Sequence, residues 1–389
     1  MYRIIFLTLG MFALGLDAYV VAGILSNMSH SFGATFAATG QSITAFTLCY
    51  AVAAPITAAL FSGKPARKVL FVALTIFSIA NIVSALATSL SMLLVSRALA
   101  GLGAGLFSPM AAAVAAMLVP AEKKGRALGL ILGGMSTGTV IGVPIGLLVN
   151  NYLGWRYVFI MVACIGFIGI IGILFKLPDI PVTAPPSLKQ RLLVMSDRKI
   201  TATVGVSFLT AVASLGLYTY ISPVINTLLS PSLNIVPYLW CWGIGGIIGS
   251  LSIGTLIDKT GKPSYLLIGI LSILTLGLFS IPLFIHLGIL AFLPFILWGA
   301  MGWSSLAPQQ HTLLSIQPQQ GAAVVALNGS CNYLGSAVGA MLGGVLISYG
   351  VLPAYLPYWA GVVSFLALIS QIFIVIRSIN KTKVKHRTV

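Results

Sequence analysis

Long apolar runs, separated by short polar gaps, make up nearly the whole chain. A helix needs ~20 mostly apolar residues to cross a bilayer core of ~30 Å. Cutting the sequence at its charged or turn-forming gaps leaves twelve such segments, over residues 4–28, 38–61, 68–89, 92–118, 126–150, 156–177, 199–229, 235–257, 263–285, 288–313, 320–348 and 353–377. The pattern predicts an all-α polytopic membrane protein with twelve transmembrane helices.

Lys and Arg are concentrated in alternate gaps. When the gaps are assigned alternately to two sides, nineteen of the 21 basic residues fall on the side of the N-terminus. Arg156 lies on the other side, and Arg97 lies within a segment. Short loops rich in Lys and Arg remain in the cytoplasm, so both termini are predicted to be cytoplasmic. One missed or extra helix would destroy this bias, which therefore supports the count of twelve.

Composition excludes most other classes of protein. The chain is 58% hydrophobic and 7% charged, whereas soluble domains are about 25% charged. The net charge of +16 would suggest nucleic acid in a soluble protein, but here it reflects topology, and no nucleic-acid-binding motif is present. No Walker or dinucleotide loop, ATP-binding domain or cluster of catalytic groups is recognisable. We expect no enzymatic activity, no cofactor and no metal, so that any pumping must use an ion gradient.

The two halves of the chain are similar in register. Residues 62–65 follow the second segment and residues 260–263 follow the eighth, both ending in Gly-Lys-Pro. Glycines recur every four residues in the fifth and eleventh segments, at Gly134, Gly138, Gly142 and Gly146, and at Gly335, Gly339 and Gly343. Such ladders let helix backbones approach closely. Repeated halves are typical of transporters that work by alternating access.

This repeat and a proline-rich loop predict the domain boundaries. The predicted domains are an N-terminal six-helix bundle (1–177), a cytoplasmic linker (178–198), a C-terminal six-helix bundle (199–377) and a basic cytoplasmic tail (378–389).

Four motifs give the chain its resemblance to a known family. They are residues 15–25 in the first segment, the arginine and glycine cluster of 97–105 in the fourth, 138–146 in the fifth, and 254–262 after the eighth. With them the chain resembles the major facilitator superfamily, and within it the twelve-span drug/proton antiporters similar to bacterial chloramphenicol-resistance and arabinose-efflux permeases. Two positions depart from the family pattern: Leu60 replaces an Asp, and Ala100 replaces a Gln.

The resemblance implies two six-helix bundles related by pseudo-two-fold symmetry, the major facilitator fold. It also implies a monomer in the bacterial inner membrane that exchanges protons for a small-molecule substrate. The residues it assigns to packing and conformational change are Gly101, Gly105, Gly138, Gly142, Pro144, Gly146, Asp258, Gly261 and Lys262.

Two charged residues lie well inside the segments. Asp17 is the only carboxylate there, and Arg97 is the only basic residue. At ~1.5 Å per residue, both fall in the outer half of the N-terminal bundle, where they could meet. A buried carboxylate tends to take up a proton, and we predict that Asp17 and Arg97 couple protons to transport. The alternatives are a fixed hydrogen bond of Asp17 and a packing role of Arg97 against backbone carbonyls.

The C-terminal segments contain no charged residue between residues 263 and 376, which favours an apolar, aromatic substrate site with a few amides. Asn328 and Asn332 are spaced i, i+4 and can face one cavity. The predicted substrate-binding residues are Tyr19, Tyr50, Trp298, Asn328, Asn332 and Tyr333. The alternatives are interhelical hydrogen bonds for the Asn pair and ordinary packing for Tyr50 and Trp298. Trp240 and Trp242 are predicted to lie in the interfacial belt.

The sequence as a whole favours a proton-coupled exporter of a small amphiphilic solute. One alternative is an importer or facilitator for a metabolite or siderophore, since one fold supports both directions. An alternative of another class is a membrane receptor or scaffold that transports nothing.

Overall fold

The computed structural model describes residues 2–60, 64–120, 123–178, 188–229 and 235–387, and within these ranges it is helical without strands. The helices of the first half are α1 (Tyr2–Phe32), α2 (Phe36–Leu60), α3 (Ala66–Ala85), α4 (Leu90–Met117), α5 (Lys124–Thr137), α6 (Val143–Leu153) and α7 (Trp155–Lys176). Those of the second half are α8 (Leu188–Val194), α9 (Arg198–Thr219), α10 (Ile221–Leu228), α11 (Val236–Thr260), α12 (Pro263–Phe284), α13 (Leu293–Ser304), α14 (Leu306–Ile316), α15 (Gly321–Ser348) and α16 (Leu356–Arg387).

Each predicted segment corresponds to one long helix or to two helices in succession. The fifth consists of α5 and α6, the seventh of α9 and α10, and the tenth of α13 and α14. Eleven of the resulting helices, among the residues described, are long and apolar enough to cross a membrane. The helix outside that set is α2, which has 25 residues. The predicted fold class, an all-α polytopic membrane protein, is confirmed.

The polypeptide divides into two compact units. Unit 1 contains residues 1–188 together with two short pieces of the second half, Tyr218–Pro223 and Ala340–Gly350. Unit 2 contains Lys189–Leu217, Val224–Gly339 and Val351–Val389. Residues 179–187 of the predicted linker lie outside the described residues, and the predicted tail continues α16 as far as Arg387.

Glycines bring helix backbones into contact inside unit 1. A Cβ added at Gly138 would collide with the carbonyl oxygen of Phe12 in α1, and one added at Gly101 would collide with that of Phe46 in α2. Because no side chain separates these backbones, α1 packs directly on the fifth span and α4 packs directly on α2.

Unit 2 repeats this packing with its own residues. Gly299 in α13 meets the backbone of Trp242 in α11, 198 positions after Gly101 in the first half. Gly335 and Gly339 in α15 meet the backbones of Phe208 and Val212 in α9, as the glycines of the fifth span meet α1. The sequence repeat is therefore a repeat of helix contacts.

The fifth span contains one turn of π-helix, Gly138–Gly142, between α5 and α6. Pro144 lies two residues after it and lacks the N–H that an α-helix would direct at the carbonyl of Val140. The wider turn fits this missing donor, and π turns often occur at functional sites. Thr139, within the turn, donates a hydrogen bond to the carbonyl of Met135 at 3.1 Å.

Candidate functional site

Asp17 and Arg97 form a buried ion pair in unit 1. The Nη1 atom of Arg97 donates to Oδ1 of Asp17 at 2.7 Å and to Oδ2 at 3.0 Å. Asp17 is 0% exposed and Arg97 is 1% exposed. Helix α1 supplies the carboxylate and α4 the guanidinium. The structure thus brings together the two charged residues that the sequence placed at a common depth.

A third polar residue, Asn81 in α3, completes the cluster. Its Oδ1 accepts a hydrogen bond from Nη1 of Arg97 at 3.3 Å, and its Nδ2 donates to the carbonyl of Phe77 at 3.0 Å. Asn81 was not among the residues predicted from the sequence. The only signal available was an amide inside an apolar span, and sequence spacing alone does not show which helix face meets Arg97.

Two aromatic rings enclose the guanidinium. The Cζ atom of Arg97 lies 4.6 Å from the ring centroid of Phe46 and 5.2 Å from that of Phe159. An aromatic face attracts a cation through its negative quadrupole, and this attraction increases when water is excluded. The two rings therefore stabilise the guanidinium charge of Arg97, although neither ring carries a negative charge.

The energetics of the pair depend on both charges being present. Removing one partner of a buried ion pair typically costs about 3–5 kcal/mol, because the other charge is left uncompensated. Asp17 is the one group in this cluster that can lose its charge by binding a proton, since Arg97 stays protonated in proteins. Proton binding at Asp17 would therefore remove the ionic attraction that links α1 to α4.

The aromatic residues predicted for the substrate site lie in different surroundings. Tyr19 makes an edge-to-face contact with Tyr218, at 5.4 Å between centroids, within unit 1. Tyr50 packs beside Phe46, at 6.2 Å. Trp298 lies in unit 2, is 1% exposed and donates its indole N–H to Ser214 at 2.8 Å.

The prediction for Trp242 is wrong. It is 1% exposed and packs against Trp298 and Trp303, with ring centroids 6.1 and 5.7 Å apart. The tryptophan belongs to the interior of unit 2 because Gly299 opposite leaves room for the α11 backbone to approach.

The predicted amide residues lie along α15. Asn328 is fully buried, whereas Asn332 and Tyr333 are half-buried. No hydrogen bond joins the side chain of Asn328 to any other residue that the structure describes. Gln309 in α14, the helix before α15, is also fully buried, and its amide has no hydrogen-bond partner among the residues described.

The predicted packing residues lie in helix contacts and in one turn. Five glycines of this set are buried where α4 and the fifth span meet their neighbours, namely Gly101, Gly105, Gly138, Gly142 and Gly146. Pro144 is also buried, in α6. After α11, Gly261 adopts a left-handed conformation with φ of 59°, which ends the helix. Asp258 and Lys262 beside it are exposed. No group of three or more potential metal ligands was found among the described residues.

A multi-helix apolar fold with repeated halves, together with a sealed ion pair, defines a multi-pass membrane transport protein. The sequence profile of the Major Facilitator Superfamily matches residues 7–326. The chain belongs to the major facilitator superfamily.

Similarities to individual proteins extend over most of the chain. It is 30% identical over 386 residues to the uncharacterized MFS-type transporter YbcL of Bacillus subtilis (strain 168), covering 99% of this chain and 98% of that protein. It is 32% identical over 252 residues to a chloramphenicol resistance protein of Streptomyces lividans, covering 64% of each. The crystal structure of a D-xylose-proton symporter has the same fold, with a TM-score of 0.73, 19% identity, and coverage of 95% of this chain and 96% of that one.

Proposed function

We propose that this transporter exports a small amphiphilic or uncharged solute in exchange for protons, by alternating access, with Asp17 as the proton site. The observation that carries the proposal is the sealed Asp17–Arg97 pair, which joins α1 to α4 where neither charge contacts solvent. Charged groups inside membrane spans are costly, and they commonly serve proton or ion pathways.

The pair supplies a mechanism for coupling. When Asp17 is ionised, its attraction to Arg97 stabilises the packing of α1 on α4. When a proton neutralises Asp17, Arg97 keeps Asn81 and the two aromatic rings as partners, which do not carry a negative charge. The loss of this contact shifts the balance between two conformations, and the proton leaves on the side to which the second conformation opens.

The export direction and the substrate class rest on similarity to the chloramphenicol resistance protein. The absence of charged residues between residues 263 and 376 further favours a solute without a strong net charge. We further propose that the protein is a monomer in a bacterial inner membrane, as its family resemblance implies. Both termini are assigned to the cytoplasm because basic residues accumulate on that side.

The test uses inverted membrane vesicles, whose lumen corresponds to the outer side of the membrane. Vesicles with an acidic lumen should accumulate labelled chloramphenicol, and collapse of the pH gradient by nigericin should abolish the accumulation. Asp17→Asn should abolish gradient-driven accumulation because Asn cannot exchange a proton. Asp17→Glu, which keeps the titratable group, is the matched control and should retain part of the activity.

Three results would contradict the proposal. Full proton-driven accumulation by Asp17→Asn would show that Asp17 does not carry the proton. Accumulation only in right-side-out vesicles with an acidic exterior would show an importer. A protein that moves neither chloramphenicol nor any hit of a thermal-shift ligand screen in either vesicle type would instead be a receptor or scaffold.

A further inference from the structure

Unit 2 contains two buried amides whose hydrogen-bonding capacity is unused. Gln309 in α14 and Asn328 in α15 are each 0% exposed. None of their four polar atoms, Nε2 and Oε1 of Gln309 and Nδ2 and Oδ1 of Asn328, has a hydrogen-bond partner among the described residues. A buried polar group without a partner costs about 1–3 kcal/mol, so these two side chains oppose the stability of this conformation.

The two amides lie at the same level of one helical hairpin. Helices α14 and α15 are joined by a short 3-10 turn, Pro318–Gln320, and both residues lie seven positions from the end of their helix that adjoins this turn. That distance is about 10 Å along each axis. The two residues therefore lie at a similar distance from the turn, one on each helix.

The apolar cluster one turn nearer the hairpin shows which faces meet. Leu313 of α14 and Val324 of α15 belong to the same buried cluster, in which residues of α8 and α9 also take part. Gln309 precedes Leu313 by four residues, and Asn328 follows Val324 by four, so each amide shares the face of its cluster residue. The two amides therefore lie on the faces that pack into this cluster. Apolar residues at these two positions would pack there without leaving a hydrogen bond unmade.

The row of polar side chains continues toward accessible surface. Asn332 lies one turn beyond Asn328 on α15 and is half-buried. The glycine next to Asn328, Gly329, has open space where a Cβ would stand. A shift of α15 relative to α14 would therefore expose the two sealed amides along the row that Asn332 begins.

We propose that Gln309 and Asn328 form a polar subsite that opens during the transport cycle and binds the uncharged donor–acceptor group of the solute, such as an amide. Each carboxamide offers a donor beside an acceptor, which complements the N–H and C=O of an amide ligand. The absence of Asp, Glu, Lys and Arg from residues 263–376 leaves the subsite with no charge to match an ionic group. The proposal deepens the proposed function and depends on it only for the choice of ligand.

The test compares Gln309→Met and Asn328→Leu, which keep side-chain volume but remove the polar atoms. Gln310→Met, at the half-buried neighbour, is the matched control. Binding of labelled chloramphenicol to purified protein, measured by equilibrium dialysis, should weaken about tenfold in each variant, equivalent to one hydrogen bond of about 1.4 kcal/mol. Binding of tetraphenylphosphonium, which has neither donor nor acceptor, should be unchanged, as should all binding by the control.

Thermal unfolding distinguishes a ligand site from a structural one. Because the two amides have no partner, Gln309→Met and Asn328→Leu should leave the Tm unchanged or raise it by about 2–4 °C. A fall in Tm in both variants would show that the amides stabilise the protein, and would overturn the subsite. Failure of the wild type to bind chloramphenicol, or wild-type affinity in both variants, would overturn it as well.

The two proposals fail separately. Binding that depends on Gln309 and Asn328, in a protein whose flux ignores the pH gradient, would overturn proton-coupled export and leave the subsite standing. Proton-driven flux, together with unaltered chloramphenicol binding in the Gln309 and Asn328 variants, would overturn the subsite and leave proton-coupled export standing.

Discussion

At the Asp17–Arg97 pair, two opposite charges cancel in a place where neither is tolerated alone. The pair is sealed by Phe46 and Phe159 and shares one amide, Asn81. The low polarity of these surroundings makes the attraction strong, and it makes an unpaired charge expensive. Loss of one charge should therefore destabilise the protein more than loss of both charges, although either change removes the proton coupling.

Asp17→Asn should destabilise the protein by about 3–5 kcal/mol, because it leaves the Arg97 guanidinium, which cannot lose its charge, buried without its anion. The double variant Asp17→Asn/Arg97→Gln should recover most of this loss, since two neutral amides replace the two charges. Thermal unfolding of the purified proteins at neutral pH measures both effects. Equal destabilisation of the single and double variants would show that the pair contributes by packing rather than by charge.

The depth of Asp17 and of Arg97 was predictable from the sequence, because helix rise per residue is constant. The participation of Asn81 was not, since it depends on the face that α3 presents to α4. The prediction for Trp242 failed for the same reason, since it too depends on which helix lies opposite. A tryptophan near a helix end suits the membrane interface, but Gly299 on the facing helix lets Trp242 pack in the interior.

Among elements, the contact between α1 and the fifth span determines where Asp17 lies. The fifth span approaches α1 through glycines, and Gly138 faces the backbone of Phe12, five residues before Asp17. A side chain at that position has no flexible neighbour that could move aside. The helix itself would have to shift.

Gly138→Ala should push α1 away from the fifth span and lower both Tm and proton-driven transport. Overpacking of this kind typically costs about 1–3 kcal/mol. Gly133→Ala on the same helix is the matched control, because open space surrounds Gly133 and Ala favours helix formation. Thermal unfolding and vesicle transport would be measured for both, and equal behaviour of the two variants would rule out a tight contact at Gly138.

The sequence predicted the number of spans and the glycine ladders because both follow from local patterns of apolar and small residues. It did not predict the breaks inside spans. The interruption between α9 and α10 at Tyr220 occurs where the Tyr220 hydroxyl donates to the carbonyl of Ala340 at 2.7 Å, a contact 120 residues distant. Such a tertiary contact has no counterpart in the periodicity of one helix.

On the scale of the whole molecule, the uneven distribution of basic residues predicts one orientation in the membrane. Lys262 follows α11 on the side that carries nineteen basic residues, and Tyr349 follows α15 on the opposite side. Both side chains are exposed, so a reagent can reach either one if it can reach that side of the membrane.

Single cysteines at these positions should therefore label with opposite sidedness. In a background without the four native cysteines, an impermeant maleimide should modify Tyr349→Cys but not Lys262→Cys in intact cells. In inverted vesicles, the preference should reverse. Labelling of both variants from one side would contradict the cytoplasmic assignment of the termini and the even number of spans on which it rests.

The π turn at Gly138–Gly142 has a consequence for the length of the chain. A π turn holds an extra residue without advancing the helix by a further turn. Deleting one residue from it should therefore leave a continuous α-helix of nearly the same height and rotation. Gly146, beyond the turn, would keep the face that meets Val20. Deleting a residue elsewhere in the span would instead rotate everything beyond it by about 100°, so the π turn is where this span should best accept the loss of a residue.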